Sequence, residues 1–263
     1  MKSLKEALLN RPKNVDVANV AIEVIEEYIN TNYTVKGHLT FETVNGVCVV
    51  NCDGGVEVKN KNIVKLTDGF VWGQVSSCFS CSKCVKLESL EGAPREVDGD
   101  FYCYCCINLK SLKGAPETVG GNFTCADCRN LKSLEGAPRE VDGDFYCSYC
   151  KNLKNLKGAP KVINGDFNCP YCENLISLEG APKEVEGLFI CYSCGELESL
   201  VGSPKKVGKY FDCSDCKNLK SLEGAPKEVG KEFYCRNCPN LKSLEGAPKK
   251  VRRIDCDERL KKL

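Results

Sequence analysis

Cysteine pairs recur along this chain at a spacing that zinc sites use. The 263-residue sequence contains 21 cysteines but one histidine and one methionine. Eight pairs have the form C-x-x-C, from Cys81 and Cys84 to Cys235 and Cys238. Two thiolates three residues apart can occupy one edge of a tetrahedron, so two adjacent pairs could together hold one zinc ion. A zinc- or redox-linked cysteine-rich protein is therefore one hypothesis for this sequence.

The pairs belong to a longer repeat. Each first cysteine follows the previous one by 22 residues, and columns of Phe, Leu, Gly and Pro keep the same step. One unit reads L-x-x-L-x-G-x-P-x-x-V-x-G-x-F-x-C-x-x-C-x-N. Within the unit, Val141, Gly143, Phe145 and Cys147 alternate with other residues, which indicates a strand with one buried face. Gly and Pro then reverse the chain, so each unit forms one turn of a coil.

Stacking of such turns predicts the fold class. A single 22-residue turn cannot bury its apolar side alone, whereas stacked turns place Phe on Phe, Leu on Leu and Cys on Cys. We therefore predict a mainly β repeat solenoid with parallel strands, in which column cysteines act as small buried hydrophobes. Disulfides are disfavoured because equivalent residues on parallel strands lie about 4.8 Å apart, whereas a disulfide needs a Cβ separation of about 3.8 Å.

Some cysteines do not fit the columns. Cys105 lies inside a C-x-x-C pair and is expected to be exposed; Cys48, Cys52, Cys78 and Cys256 also lie off the columns. We expect any reactive thiol to be one of these five, because thiol reactivity requires access and thiolate character.

The pattern also divides the chain into segments. Residues 1–38 are predicted to form an N-terminal α-helical cap, with an amphipathic helix over residues 14–30. Residues 39–74 are predicted to form a β-hairpin and a degenerate first coil, with turns at Asn45-Gly46 and at residues 53–55. Eight 22-residue repeats follow over residues 75–250, and residues 251–263 form a C-terminal cap, since the open ends of a solenoid must be covered.

The repeat unit resembles a known family. The segments N-L-K-N-L-K-G-A-P at residues 152–160 and G-D-F-N-C at residues 165–169 are similar to the short leucine-rich repeats of many bacteriophage and some bacterial proteins. The likeness spans about residues 47–256. It implies a leucine-rich-repeat-like, right-handed coil whose strand-lined concave face holds a partner. It carries no catalytic residues over to this chain.

The outward positions beside the Phe column suggest a binding surface. Tyrosines and carboxylates alternate there, and this composition suits protein recognition because it combines apolar area with hydrogen bonds. The alternative is that Tyr and Thr are present because they favour strands. The predicted partner-binding residues are Tyr102, Asp144, Tyr146, Tyr149, Asp166, Tyr171, Tyr210, Asp212 and Tyr234.

Other function classes are disfavoured by what the sequence lacks. A formal charge of +1 gives no basic excess for nucleic acid. No signal segment or membrane span is apparent, so we expect cytoplasmic location, in the host cell if the chain is phage-encoded. No catalytic triad or phosphate-binding loop is present, and no cofactor or resident metal is expected. We predict a non-enzymatic scaffold that binds another protein; the resemblance implies that it is phage-encoded and acts on a host protein. The alternatives are the zinc- or redox-linked protein and a structural virion or surface component.

Overall fold

The computed structural model describes the backbone of residues 17–261 and the side chains of residues 22–261. Residues 1–16 and 262–263 lie outside the described residues, and with them the start of the predicted cap and the last two residues of the tail. The predicted amphipathic helix is present as α1 (Val17–Asn32). The short 3-10 helix η1 (Glu258–Leu260) follows the last strand.

Five strands precede the regular turns: β1 (Tyr33–Lys36), β2 (Leu39–Val44), β3 (Val47–Cys52), β4 (Gly55–Val58) and β5 (Val71–Val75). A first row of two-residue strands begins with Phe in each turn, and we call it the Phe row: β6 (Phe79–Ser80), β8 (Phe101–Tyr102), β10 (Phe123–Thr124), β12 (Phe145–Tyr146), β14 (Phe167–Asn168), β16 (Phe189–Ile190) and β18 (Phe211–Asp212). A second row, the Val row, ends with Val or Ile: β7 (Glu96–Val97), β9 (Thr118–Val119), β11 (Glu140–Val141), β13 (Val162–Ile163), β15 (Glu184–Val185) and β17 (Lys206–Val207). Two longer strands complete the chain: β19 (Glu228–Cys235) and β20 (Lys250–Cys256).

These strands form a mainly β solenoid of about nine parallel turns, as the sequence predicts. Strands of the Phe row pair in parallel with Phe aligned on Phe, for example Phe123 with Phe145. The Val row pairs in the same way, with Val119 beside Val141. The two rows start as separate sheets, and they join at β19, which pairs with both β17 and β18. Successive turns of the Phe row are therefore in register from β6 to β18.

The predicted continuous strand through Val141 and Cys147 is wrong in one respect, because the structure divides it into two strands. β11 ends at Val141 and β12 begins at Phe145. The intervening Gly143 lies so close to the previous turn that a Cβ atom on it would be 2.7 Å from the Gly121 carbonyl carbon. The backbone therefore bends between the Val-row strand and the Phe-row strand of each turn. In the last full repeat, β19 spans both positions as one strand.

Stacking of identical side chains fills the core. Seven consecutive pairs of Phe rings, from Phe79 to Phe233, are stacked with centroids 5.1–5.6 Å apart. The Leu and Cys columns are buried beside them. Gly158 shows why the turn needs glycine: its φ is +90°, and a Cβ atom would lie 2.4 Å from the Glu135 amide nitrogen. Each turn therefore presents the same apolar surface to the next.

The N-terminal end of the core is closed by α1 and by aromatic residues. Ile25 and Ile29 of α1 are buried. Trp72 lies between Tyr33, at 5.3 Å between ring centroids, and Phe79, at 6.2 Å, so it ends the Phe stack. The Asn45-Gly46 turn joins β2 and β3 as a hairpin with both residues at positive φ, as the sequence predicts. The second predicted hairpin, at residues 53–55, is wrong, because β3 and β4 belong to different sheets.

Candidate functional site

The thiol columns lie inside the solenoid. The sixteen column cysteines are all buried, and all 21 cysteines of the chain are free. The second cysteine of each turn after the first also has a polar contact: its S–H group donates to the carbonyl oxygen of the first cysteine one turn earlier. The Sγ–O distances run from 3.1 Å for Cys106 and Cys81 to 3.4 Å for Cys238 and Cys213. The thiols therefore satisfy inward backbone carbonyls as well as filling space.

Burial raises the pKa of most of these thiols. It raises the pKa of Cys84 and of Cys147 to about 12. In the first two turns, a hydrogen bond between the Cys81 and Cys106 thiols raises the pKa of Cys81 and lowers that of Cys106. Within residues 17–261, no group of three or more His, Cys, Asp or Glu side chains is arranged to hold a metal ion. The zinc hypothesis remains a hypothesis, which elemental analysis of the protein purified without added metal would test.

The cysteines placed off the columns divide into two groups. Cys48, Cys78 and Cys105 are partly buried, so the expectation that Cys105 is exposed is wrong. Its thiol lies 3.5 Å from the Asp127 carboxylate, and burial raises its pKa. Cys52 and Cys256 are buried, and Cys256 is wrongly placed off the columns because it is in register with Cys235. An irregularity between Val229 and Glu232 absorbs the one-residue shortening of the last unit.

The third residue of every C-x-x-C pair has a backbone conformation that few residues favour. Its φ lies between 53° and 63° in all eight turns: Lys83, Cys105, Asp127, Tyr149, Tyr171, Ser193, Asp215 and Asn237. Its N–H group donates to the next turn, as Asp127 N does to Ser148 O at 2.8 Å. Asn and Asp tolerate this left-handed region best among residues with side chains. Tyr149 and Tyr171 are therefore unusual occupants of this position.

These two tyrosines belong to an aromatic surface, which we call the tyrosine strip: Tyr149, Tyr171 and Tyr192. The rings of Tyr149 and Tyr171 are stacked with centroids 4.6 Å apart, and Tyr192 meets Tyr171 edge-on at 5.0 Å. Tyr149 is 47% exposed. The pKa of Tyr192 is raised to about 12, chiefly by burial and to a smaller extent by a hydrogen bond with Tyr171. Tyr192 is not among the residues predicted from the sequence, although it occupies the same repeat position as Tyr104.

The predicted carboxylates Asp144 and Asp166 have structural roles. Asp144 Oδ1 accepts the backbone N–H of Asp166 at 2.7 Å, and Asp166 Oδ1 accepts that of Leu188 at 2.8 Å. The Tyr146 hydroxyl donates to the other oxygen of Asp144 at 2.7 Å. Burial and that hydrogen bond raise the pKa of Tyr146. Tyr102 makes the equivalent hydrogen bond to Asp100 two turns earlier, and its pKa is about 12 for that reason and because of burial.

A second predicted group lies near the C-terminal end of the solenoid. The rings of Tyr210 and Tyr234 are 5.9 Å apart and tilted, and the Lys231 ammonium lies 5.1 Å from the centre of the Tyr210 ring. Asp212 Oδ1 accepts the backbone N–H of Ser214, and burial raises the pKa of the Asp212 carboxyl. All nine predicted residues therefore lie in or beside the Phe row or the C-x-x-C turns that follow it; Tyr149 is exposed and the other eight are partly buried.

Comparisons with known proteins identify no relative. No protein-family model, no curated protein and no solved structure gives a significant match to this chain. Among the described residues, no helix is long and apolar enough to cross a bilayer.

Proposed function

We propose that this chain is a non-enzymatic repeat scaffold that binds another protein through the tyrosine strip and the adjoining Phe-row residues. The observation that carries the proposal is the strip itself. Three aromatic rings with hydroxyl groups lie side by side across consecutive turns on an outward surface. Tyrosine is enriched at the energetic centres of protein interfaces because it offers apolar area and a hydrogen bond together.

The backbone conformation supports the same interpretation. A residue other than Gly at positive φ costs roughly 1–2 kcal/mol, least for Asn and Asp. Asp127, Asp215 and Asn237 occupy the position in other turns, so the turn does not require tyrosine. Tyr149 and Tyr171 accept this local cost, as Lys83, Cys105 and Ser193 do in other turns, and their rings stack on each other at the surface. Such a cost is a reason to look for a role outside the fold.

The finer identity of the scaffold rests on the likeness of its repeat unit. We propose that it is a short leucine-rich-repeat protein of the phage or bacterial type, made in the host cytoplasm, whose partner is a host protein. The support is the 22-residue unit with its L-x-x-L-x-G-x-P segment followed by a Phe strand.

Affinity capture tests the proposal. Full-length tagged protein would be incubated with lysate of its own host, and the captured proteins would be quantified by mass spectrometry. The variant carries Tyr149→Asn, Tyr171→Asn and Tyr192→Asn. Asn fits the left-handed positions 149 and 171, and the same replacement at 192 removes the third ring. We expect proteins enriched by the unmodified chain to fall at least fivefold with this variant, while the thermal melt is retained.

The matched control carries Lys161→Ser, Lys183→Ser and Lys205→Ser. These three exposed residues follow the prolines and lie outside the Phe row and the C-x-x-C turns. The control should capture the same proteins as the unmodified chain. Equal capture by all three proteins, or capture of nothing by the unmodified chain, would reject protein binding by this face.

A further inference from the structure

The C-terminal end of the solenoid has an open strand edge. β20 pairs with β19 on one side, and among residues 17–261 no strand lies on its other side. The chain after β20 covers a different part of this end. Leu260 of η1 is buried, and the Arg259 guanidinium donates to the carbonyls of Leu241 and Cys238 on the coil side of the last turn. Within the described part of the chain, no strand pairs with the outer edge of β20.

The repeat pattern shows which backbone groups point to that edge. In the interior, Cys213 N–H donates forward to Tyr234 O, and Val185 O accepts from Gly208 N one turn later. Cys256 is in register with Cys235, and Val251 with Val229. The N–H of Cys256 and the carbonyl of Val251 therefore face the open side, in the positions at which every earlier turn bonds its successor. An added parallel strand would find the same donors and acceptors.

Cationic side chains cluster on this last turn. Lys250 is in register with Glu228, in a column that holds Glu96, Glu140 and Glu184 and also Lys206. Arg253 is in register with Glu232, in the column that holds Asp100, Asp144 and Asp166. Arg252 lies between them. Glu228 is 3.6 Å from Lys250, but within the described part of the chain neither arginine forms an ion pair.

Apolar surface at this end is also incompletely covered. Val251 and Ile254 are only partly buried, whereas their counterparts Val229 and Phe233 in the preceding turn are 2% and 0% exposed. The last turn therefore combines unpaired backbone groups, three exposed cationic side chains and the partly exposed ends of two core columns. A stable cover must supply main-chain partners, negative charge and apolar side chains in alternation.

We propose that β20 binds an extended acidic segment of another protein, which adds to the solenoid as a parallel strand. The segment has acidic residues where the interior turns have Glu and Asp, and apolar residues where they have Val and Phe. Addition of a strand to an exposed sheet edge is an established mode of peptide recognition. Edge-to-edge pairing with a second copy of this chain is disfavoured, because it would bring two sets of Lys250, Arg252 and Arg253 together. This surface is separate from the tyrosine strip.

A peptide binding experiment on the full-length protein tests the proposal. The probe is a labelled, end-blocked peptide with the sequence of residues 96–103, EVDGDFYC, in which Ser replaces Cys. Two matched probes differ from it in one respect each: one has Lys at its three acidic positions, and one has alternate backbone nitrogens methylated. We expect saturable binding of the first peptide in fluorescence anisotropy, with at least tenfold weaker binding of the other two.

The protein side of the test reverses the charge of β20 with Lys250→Glu, Arg252→Glu and Arg253→Glu. We expect this variant to bind the acidic peptide at least tenfold more weakly, because attraction at three positions becomes repulsion. The control variant carries Lys161→Glu, Lys183→Glu and Lys205→Glu, with the same change of net charge elsewhere, and it should bind as the unmodified protein does. The tyrosine strip variant should also bind normally, which separates this proposal from the proposed function.

Several outcomes would overturn the proposal. They are no binding of the acidic peptide, equal binding of the acidic and basic peptides, and equal binding of the methylated peptide, which would reduce the contact to charge alone. A stable dimer in sedimentation would assign the edge to a second copy. The three peptides are compared on the unmodified protein, so the result does not depend on the folding of the charge-reversed variant.

Discussion

The inward and outward positions of the same turn differ sharply in how far they vary along the solenoid. The inward positions repeat one residue type in each column, as Phe145 follows Phe123 and precedes Phe167. The outward neighbours Thr124, Tyr146 and Asn168 differ from one turn to the next, although the backbone around them is the same. Inward side chains pack on their own copies, so a change in one turn disturbs two interfaces. Outward side chains have no such requirement, so the sequence differences between the repeats are concentrated on the outward surface.

The largest effect that we expect is unfolding at high pH, which follows from the burial of the column thiols. Burial raises the pKa of twelve column thiols: Cys84, Cys103, Cys125, Cys147, Cys169, Cys172, Cys191, Cys194, Cys213, Cys216, Cys235 and Cys238. Below about pH 8 the thiols are protonated in the folded and unfolded chains alike, and their contribution to stability is complete. Above about pH 9 only the unfolded chain loses these protons.

Each such thiol then lowers the free energy of unfolding by about 1.4 kcal/mol per pH unit. Twelve acting together exceed the usual total stability of about 5–15 kcal/mol within roughly one pH unit. We expect cooperative loss of the circular dichroism signal between about pH 9 and 10.5, under reducing conditions, with thiolate absorbance rising in the same step. Thiolate absorbance that rises several tenths of a pH unit before the structure is lost would show that the columns are accessible to solvent.

The second prediction compares two adjacent residues of β12. Phe145 is fully buried between the rings of Phe123 and Phe167, whereas Tyr146 points outward. We expect Phe145→Ala to lower the free energy of unfolding by about 4 kcal/mol, because it removes a ring from a packed column. Tyr146→Ala should cost about 1 kcal/mol, chiefly the hydrogen bond to Asp144. Urea titration of both variants measures the difference, and costs of equal size would mean that the outward position is as restricted as the inward one.

The smallest effect concerns the tyrosine strip. Tyr149→Asn replaces a residue at φ 58° with one that tolerates the left-handed region. We expect the free energy of unfolding to rise by about 0.5 kcal/mol, after allowance for the lost stacking on Tyr171, while capture of the partner falls. The matched change Asn237→Tyr, at φ 53°, should destabilise the protein by a similar amount. A Tyr149→Asn variant that is less stable than the unmodified protein would assign Tyr149 to the fold instead of to binding.

The sequence alone predicts the repeating solenoid because its period never slips over eight units. Helix α1 and the Asn45-Gly46 hairpin are predictable from local patterns in the same way. The break between Val141 and Phe145 was missed because alternation at a step of two does not distinguish one strand from two strands joined by a bend at Gly143. The positive φ of Tyr149 was missed because Tyr is not a residue type that signals this conformation, although Asp127 and Asn237 at the same position do.

The thiol columns illustrate a different limit. Burial of the cysteines follows from their position beside Phe and Leu. Cys150 Sγ contacts Cys125 O at 3.3 Å. This contact depends on which backbone carbonyl points inward, and the pattern of side chains in the sequence does not show the direction of the carbonyls. The tyrosine strip was found in part, since Tyr149 and Tyr171 share a column. Tyr192 lies in the neighbouring column, and its contact with the Tyr171 ring is visible only in the three-dimensional structure.

The uniform register described for the Phe row has a consequence for how such a molecule can change over generations. Residues 95–103 and 139–147 are two units apart and have identical sequences. Each turn makes the same contacts with the turn after it as with the turn before it. Recombination between two such stretches adds or removes whole turns without leaving a misfitted junction. The outward surface can therefore become longer or shorter by one turn at a time, while the caps at both ends stay the same.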